Sequence, residues 1–161
     1  MVANKRGNVW IAVSGVVENE NGDWLVVKKK YGGLKGKWSF PAGFVNEGET
    51  LDEAIVREIQ EETGIEAEVQ GVIGIRSGVI QSTISDNMII FKLKANSSKI
   101  IVQEDELFEA AFFPPNFLKD DEDASLLLQS FAEEVFEKML YKIDGLNPGD
   151  QFGYTSYRLF L

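Results

Sequence analysis

Residues 43–65 read GFVNEGETLDEAIVREIQEETGI, and this stretch carries the clearest helix signal in the chain. Thr50 is followed three residues later by Glu53, which is the spacing of a capping box at the start of a helix. Gly64, followed by an aliphatic residue, has the pattern of a helix stop. The pattern therefore predicts a helix over Leu51–Thr63. The apolar ridge of this helix, spaced every four residues, consists of Leu51, Ile55 and Ile59.

Three glutamates lie one turn apart near the end of this predicted helix. Glu58, Glu61 and Glu62 are spaced i, i+3 and i+4, so their side chains share one side of the helix. Like charges at this spacing cost roughly 0.2–0.5 kcal/mol per pair, and no lysine follows at i+4 to relieve them. Mg²⁺ is a hard cation that prefers oxygen ligands. Such a cluster is either a solvated acidic face or, with suitable neighbours, a magnesium site.

The whole stretch resembles the signature of the Nudix hydrolase family, G-x5-E-x7-R-E-U-x-E-E-x-G-U, in which U is an aliphatic residue. The strands predicted around the helix suit the same fold, so the resemblance extends over about residues 8–140. Members of this family hydrolyse a diphosphate linkage in substrates built as a nucleoside diphosphate joined to another group, X. The fixed positions of the signature are all matched, by Gly43, Glu49, Arg57, Glu58, Ile59, Glu61, Glu62, Gly64 and Ile65.

The resemblance implies a metal site. Glu58, Glu61 and Glu62 would bind the metal, and the main-chain carbonyl of Ala42 would be a further ligand. Mg²⁺ is the expected ion, with Mn²⁺ as the alternative. Such an ion acts as a Lewis acid and lowers the pKa of its bound water, which is the chemistry that diphosphate hydrolysis needs.

Four further residues of the signature are expected to shape or orient the site. Gly43 would let its loop approach the helix closely. Arg57 and Glu49 would orient the carboxylates rather than react, which places Arg57 in the catalytic set. A helix-surface salt bridge is the alternative explanation for Arg57. Gly64 is best explained as the cap that ends the helix.

The group that takes the proton from the attacking water is left open. Because the chain has no histidine, the base must be a carboxylate or the metal-bound water itself. Glu61 and Glu62 are two candidates. Glu104, and after it Glu106, are the others, because family members often place a glutamate in a loop ahead of a Glu-Ala-x-aromatic strand, and residues 109–112 read EAAF. An acidic solvated loop is the alternative for these two.

The sequence signals for substrate-binding residues are less specific. Lys37 belongs to a basic cluster that precedes the acidic stretch, and it is a candidate for binding phosphates. Phe44 is a candidate for stacking on a base, and Glu106 for a further substrate contact. Trp38 and Phe40 lie on one face of a short predicted strand, where core packing is the stronger interpretation.

The remaining patterns predict an α/β (α+β) fold, a Nudix-like α/β/α sandwich in which a mixed β-sheet is flanked by helices. A second amphipathic helix is expected over residues 125–142. The tail, residues 143–161, is expected to include an edge strand or an extended segment at residues 152–160. No linker or repeat divides the chain, so a single domain over residues 1–161 is expected. The predicted strands lie at residues 8–17, 24–28, 38–43, 67–75, 87–93, 99–102 and 110–113.

The composition of the chain excludes several classes of function. The 161 residues include no cysteine and no histidine, which excludes thiol chemistry and the Ser-His and Cys-His nucleophile systems. A net charge of -10 disfavours strong binding to nucleic acid or to an anionic membrane. Residues 1–7 lack the apolar segment of a signal peptide, and no run is long enough for a membrane span. A cytoplasmic protein is expected, with a homodimer as an open alternative.

The identity of the substrate is left open. Residues 76–86 contain neither the proline that ADP-ribose pyrophosphatases often carry nor the tyrosine of diadenosine-polyphosphate hydrolases. The zinc ligands of the NADH-cleaving branch and the coenzyme A marker are also missing. A small-molecule nucleotide, either a nucleoside triphosphate or a nucleotide-sugar-like diphosphate, is the expected substrate. A nucleotide-sensing or regulatory binding module without turnover is the alternative function.

Overall fold

The computed structural model describes residues 7–133 and 138–161. Within these ranges, none of the helices combines the length and the apolar character that crossing a bilayer requires. The helices are α1 (Leu51–Thr63), α2 (Pro115–Lys119) and α3 (Leu126–Glu133), and a short 3₁₀ turn spans Asp150–Phe152. The strands are β1 (Val9–Glu18), β2 (Trp24–Lys29), β3 (Trp38–Ser39), β4 (Ala42–Phe44), β5 (Ala67–Ile80), β6 (Ile84–Ala95), β7 (Leu107–Phe113), β8 (Leu140–Ile143) and β9 (Leu159–Phe160).

The strands pair into one mixed sheet. Its path runs β3-β2-β1-β6-β5-β8-β9, with β4 paired to β1 and β7 paired to β2. β1 and β6 run parallel, whereas the other pairs between the described strands are antiparallel. A parallel pair needs a long crossover connection, and the chain between β1 and β6 contains α1. This crossover brings α1 into contact with β1 and β4.

β1 is buried on both faces, and its alternating side chains divide the hydrophobic core into two parts. Val13 and Val17 pack with the apolar ridge of α1 on one side of the sheet. Ala12 and Val16 belong to the part on the other side, where α3 contributes Leu128. The carboxylate-bearing helix therefore lies against a rigid central strand.

Trp38 and Phe40 belong to the part of the core that α3 covers. Their exposed fractions are only 7% and 2%, so the prediction of core packing is confirmed for both. The ring of Phe40 meets that of Phe131 edge to face, with the centroids 5.9 Å apart. These aromatic contacts hold the chain between β3 and β4 in the core.

The predicted limits of α1 are confirmed. The main-chain N–H of Thr50 donates to Glu53 Oε2 at 2.8 Å, as a capping box requires. At the other end, Gly64 has φ 70°, and its N–H donates to the carbonyl oxygen of Gln60 at 2.8 Å. A left-handed φ of this kind favours glycine, which explains the residue at this position.

The predicted strand at residues 99–102 is wrong. This segment is irregular, and its main chain bonds to the end of α1 instead of to a neighbouring strand. The N–H of Ile101 donates to the carbonyl oxygen of Thr63 at 2.8 Å, and that of Gln103 to the carbonyl oxygen of Glu62 at 3.1 Å. The segment thus satisfies carbonyls that a helix end leaves unpaired.

The predicted helix at residues 125–142 is only partly correct. The described part of α3 ends at Glu133, and residues 134–137 of the predicted helix, Val135 among them, lie outside the described residues. Leu140–Ile143 forms β8 instead of helix, because the open edge of β5 offers hydrogen bonds there. After β8, the described chain forms one more strand, β9, which lies within the predicted residues 152–160.

Buried ionic contacts join the C-terminal segment to the first turn of α1. Asp52 is 5% exposed, and its Oδ2 accepts from Lys142 Nζ at 3.1 Å. Burial would raise the pKa of Asp52, but the Thr50 hydroxyl and the Lys142 ammonium outweigh that effect and leave the pKa lowered. Arg158 adds its positive charge, with Nε 3.7 Å from Asp52 Oδ2 and 2.9 Å from Asp144 Oδ1. These contacts fix the start of the helix.

Candidate active site

The loop before α1 passes very close to the helix at Gly43. A Cβ at this position would lie 2.1 Å from Cδ of Glu58 and within 2.4 Å of both its carboxylate oxygens. Only glycine therefore allows β4 and the Glu58 carboxylate to occupy their present positions. The predicted close approach of loop and helix is a feature of the described structure.

Arg57 holds the acidic residues around it in fixed positions. Its Nε and Nη2 donate to the two carboxylate oxygens of Glu49 at 2.9 and 2.7 Å, a bidentate pair. Its Nη1 donates to Glu58 Oε1 at 2.7 Å and to Glu61 Oε2 at 3.1 Å. The hydrogen bonds from Arg57 lower the pKa of Glu49, and those to Glu49 raise the pKa of Arg57. Nη2 also donates to the carbonyl oxygen of Phe44 at 3.0 Å, which ties β4 to the helix.

Glu62 is the most deeply buried carboxylate of the group, at 1% exposure. Its Oε1 accepts from Lys29 Nζ at 2.9 Å, and the same ammonium lies 3.2 Å from the carbonyl oxygen of Ala42. Glu62 Oε2 has no hydrogen-bond partner within residues 7–133 and 138–161. Burial raises the pKa of Glu62 to about 7 although Lys29 opposes that effect, and the negative charge of Glu58 adds to it. The ammonium of Lys29 thus already bridges the Glu62 carboxylate and the Ala42 carbonyl oxygen.

The donor set suits a hard divalent ion, although the side chains are not arranged around one. Among the described residues, no three acidic side chains converge as a cation site. Glu58 and Glu61 face Arg57, and Glu62 faces Lys29. Carboxylate and carbonyl oxygens are the ligands that Mg²⁺ prefers, and Glu62 Oε2 is an unsatisfied buried oxygen of this kind. An ion can therefore bind here if it displaces the Lys29 ammonium.

The turn that contains Glu104 and Glu106 lies beside this carboxylate group. The N–H of Lys30 donates to the carbonyl oxygen of Glu106 at 2.9 Å, and the Lys30 ammonium contacts the carbonyl oxygen of Glu104. Burial, followed by the charge of Glu106, raises the pKa of Tyr31, and Glu62 contributes to the same shift. Glu106 therefore lies next to Tyr31, which lines the cleft, whereas Glu104 is exposed at the turn.

A cleft of about 730 Å³ opens next to the carboxylates, and its lining is mostly apolar. Lys29, Ala42 and Gly43 form its end nearest to Glu62. Phe44 also lines the cleft, and its ring meets that of Trp10 edge to face at 5.5 Å. Clefts of this size and character are typical of small-molecule sites.

Lys37, predicted to bind phosphates, does not line this cleft. Its Nζ donates to the carbonyl oxygen of Glu122 at 3.1 Å, because the neighbouring N–H of Trp38 bonds to Asp123 and draws this part of the chain towards that segment. Lys29 is the lysine that reaches the cleft. The sequence does contain a signal for it, since alternation along β2 separates Lys29 from Lys28, whose ammonium lies over the Trp38 ring.

Two further charged residues of the cleft, Arg76 and Asp86, escape the sequence reasoning. They stand on neighbouring strands, β5 and β6, and Arg76 Nη2 donates to Asp86 Oδ2 at 2.8 Å inside the cleft. Trp10, which the sequence places in a predicted strand, also lines the cleft. The signal for these three is the register of the sheet, which a single sequence does not contain.

Comparisons with known proteins agree with this geometry. The family model described as NUDIX domain matches residues 9–133. Nudix hydrolase 2 of Arabidopsis thaliana is 36% identical over 155 residues, which cover 92% of this chain and 52% of that protein. The ADP-ribose pyrophosphatase of Methanocaldococcus jannaschii is 37% identical over 116 residues, which cover 67% of this chain and 63% of that protein.

The fold is also found among solved structures. The MutT protein from Methanosarcina mazei Go1 matches with a TM-score of 0.68 and 24% identity, covering 80% of this chain and 93% of that one. This likeness confirms the predicted fold class. The chain spans about half the length of the Arabidopsis relative and less than two thirds of the archaeal one. The match over residues 9–133 shows that the chain belongs to the NUDIX family.

Proposed function

We propose that the chain is a divalent-metal-dependent pyrophosphohydrolase that cleaves the diphosphate linkage of a nucleoside diphosphate-X substrate. The observation that carries this proposal is the ammonium of Lys29, which lies between Glu62 Oε1 and the Ala42 carbonyl oxygen at the end of a nucleotide-sized cleft. A cation is thus held by hard oxygen ligands where a substrate's diphosphate would enter. Family membership and the pyrophosphatase name of one relative support the same reaction class.

In this proposal Glu58, Glu61, Glu62 and the Ala42 carbonyl hold the ion. Mg²⁺ is the first choice and Mn²⁺ the alternative. The bound ion supplies Lewis acidity and acidifies a water. Arg57 keeps the carboxylates in place through its hydrogen bonds.

The remaining chemistry falls to side chains that flank this group. Lys29 lines the cleft. Once displaced from Glu62, its ammonium can neutralise the negative charge on a phosphoryl oxygen of the substrate. The proton of the attacking water goes to a carboxylate. Glu106 becomes the first candidate for this base because it neighbours Tyr31 and the Glu62 region, ahead of Glu104 at the exposed turn. Glu61, whose side chain is 55% exposed, is the candidate from α1 itself.

A panel of nucleotides assayed with and without Mg²⁺ tests the proposed reaction. ADP-ribose is the first compound to include, since a relative bears the name ADP-ribose pyrophosphatase, followed by nucleotide sugars and nucleoside triphosphates. We expect at least one compound to release a nucleoside monophosphate, and chelation of the metal to stop the release. Tight nucleotide binding without turnover of any compound would contradict the proposal and favour a sensing or regulatory module.

Mg²⁺ is expected to raise the thermal midpoint of unfolding, and to raise it more at pH 8 than at pH 6. An ion that binds only the folded state stabilises it by RT ln(1 + [Mg²⁺]/Kd). Because the pKa of Glu62 is about 7, the carboxyl is mostly protonated at pH 6. Metal binding must then release that proton, so the apparent affinity falls by up to about tenfold per pH unit below 7. Thermal scans at both pH values measure the difference.

Without metal, the contribution of Glu62 to stability has the opposite dependence on pH. Its folded pKa of about 7 lies above its ordinary value of 4.5. The stabilisation is therefore complete below pH 4.5 and is lost as the pH rises through 7. Glu62→Gln serves as the control: it removes a proposed ligand charge together with the titrating group, so both the Mg²⁺ effect and its dependence on pH should become smaller. An equal shift at pH 6 and pH 8 in the unaltered protein would contradict the assignment of Glu62.

A further inference from the structure

The cleft follows β1 away from the carboxylate group. Trp10, Ala12 and Ser14 project from the same face of β1 because strand side chains alternate, and all three line the cleft. Ser14 is paired with Ala42 of β4, and Trp10 is paired with Asp86 of β6. One end of the cleft is therefore marked by the Ala42 carbonyl and the other by Asp86.

Strand geometry sets the length of this path. Ser14 lies four steps along β1 from Trp10, which is about 13 Å, and two strand spacings of about 4.8 Å separate β4 from β6. Ala42 and Asp86 are therefore roughly 16 Å apart across the sheet. An extended nucleoside diphosphate is a molecule of this length. If its phosphates lie at Ala42 and Lys29, its base reaches the Asp86 end.

The Asp86 end of the cleft is apolar except for one pair of charges. Arg76 Nη2 donates to Asp86 Oδ2 at 2.8 Å, while Asp86 Oδ1 accepts no hydrogen bond from the described part of the chain. The side chain of Arg76 is 42% exposed and that of Asp86 is 17% exposed, so both keep free hydrogen-bonding capacity. Trp10 and Ile80 supply apolar surface beside them. A few polar groups in an apolar cleft commonly fix the orientation of a ligand.

We propose that Arg76 and Asp86 recognise the nucleobase of the substrate, which packs against Trp10. Asp86 Oδ1 would accept an N–H of the base, and a free N–H of Arg76 would donate to the adjacent ring nitrogen or carbonyl oxygen. Adenine, guanine and uracil each present a donor beside an acceptor on one edge. The ion pair can stay intact on binding, because it uses only Asp86 Oδ2. This role rests on the proposed function, since the phosphates must lie at the carboxylate end.

Binding of the products tests the assignment separately from turnover. The probes are AMP, GMP, UMP and ribose 5-phosphate, titrated calorimetrically against the protein and its Asp86→Ala variant. We expect each nucleotide that binds to lose about 10- to 100-fold in affinity, the usual effect of removing a hydrogen bond to a charged group. Ribose 5-phosphate, which lacks a base, should bind the two proteins equally. The comparison among the three nucleotides shows which base the pair prefers.

A cross-strand ion pair without any role in binding is the competing explanation for Arg76 and Asp86. Glu18→Ala is the matched control, because Glu18 Oε2 lies 3.4 Å from Lys92 Nζ across β1 and β6 and does not line the cleft. This control should leave the affinity for every probe unchanged. Equal losses for nucleotides and ribose 5-phosphate in Asp86→Ala, or no loss at all, would overturn the proposal. Failure of all three nucleotides to bind would overturn it as well.

Kinetics separate a failure of this proposal from a failure of the proposed reaction. With a hydrolysed substrate, Asp86→Ala should raise KM about tenfold or more and leave kcat nearly unchanged, because the base is remote from the reacting phosphorus. Turnover with an unchanged KM would overturn the role of Asp86 alone. Nucleotide binding that depends on Asp86, without turnover of any compound, would overturn the reaction and support the binding role.

Discussion

Glu62→Gln is expected to lower kcat by more than about 100-fold and to leave the protein folded. Loss of an outer partner of a metal ligand costs about 10- to 100-fold, and Glu62 is proposed as a ligand itself. The amide keeps the size of the side chain but removes its charge. Little stability should be lost, because a pKa of about 7 means that the neutral carboxyl is already accessible to the folded protein at neutral pH. Steady-state rates at saturating Mg²⁺, with thermal unfolding beside them, measure both effects.

The interpretation of this variant depends on two comparisons. Glu66→Gln removes the same charge from an exposed residue just beyond α1 and should keep normal activity. Glu61→Gln should be as inactive as Glu62→Gln if both bind the metal, although its side chain is far more exposed. Near-normal rates in both Glu61→Gln and Glu62→Gln would contradict the assignment of the metal site.

The helix that carries the carboxylates could be predicted to the residue, because its signals are local. The box at Thr50 and Glu53, the apolar ridge and the stop at Gly64 all act within one or two turns. The family signature lies on the same stretch, so family membership and the helix could both be predicted from one segment. Features that depend only on residues close together in the sequence could therefore be predicted.

The predictions that proved wrong concern segments whose hydrogen-bond partners are distant in the sequence. Leu140–Ile143 continues an amphipathic pattern, yet it forms β8 because Gly71 and Val72 of β5 offer an open edge. Residues 99–102 have the composition of a strand, yet their N–H groups bond to the end of α1. In both cases the competing hydrogen-bond partners lie about 40 to 70 residues away, and a window of sequence does not contain them.

The same limit explains the residues of the cleft that were missed. Lys29 and Lys37 belong to the same basic cluster before α1, so the composition of that cluster does not distinguish them as phosphate ligands. The position of β2 in the sheet places Lys29 at Glu62, whereas Lys37 bonds to the Glu122 carbonyl oxygen. Arg76 and Asp86 lie ten positions apart in two strands. Their contact depends on the register of the β5–β6 hairpin, in which Gly78 rather than Arg76 is directly opposite Asp86. The carboxylate group could be predicted from the sequence, whereas the lining of the neighbouring cleft depends on how the strands of the sheet pair.

Gly43→Ala is expected to lower turnover by at least about 100-fold, comparable to the loss of a metal ligand, with a loss of stability of about 1–3 kcal/mol, the usual cost of extra volume at a packed position. The new Cβ would lie 2.1 Å from Cδ of Glu58. The main chain cannot retreat easily, because Gly43 is paired with Val13 of the central strand β1. The Glu58 side chain must therefore rotate away. Arg57 loses one contact but keeps its bidentate pair with Glu49, which is why the fold should survive.

A double-mutant cycle shows whether the loss in Gly43→Ala acts through Glu58. If displacement of the Glu58 carboxylate is the whole effect, Gly43→Ala, Glu58→Gln and the double variant should have similar low rates. Residues that act as a unit give such non-additive losses. Losses that multiply in the double variant would contradict this mechanism and would place the effect of Gly43 in the position of the Ala42 carbonyl instead. Since φ of Gly43 is not positive, backbone strain offers no competing explanation, and the cycle separates the two remaining ones.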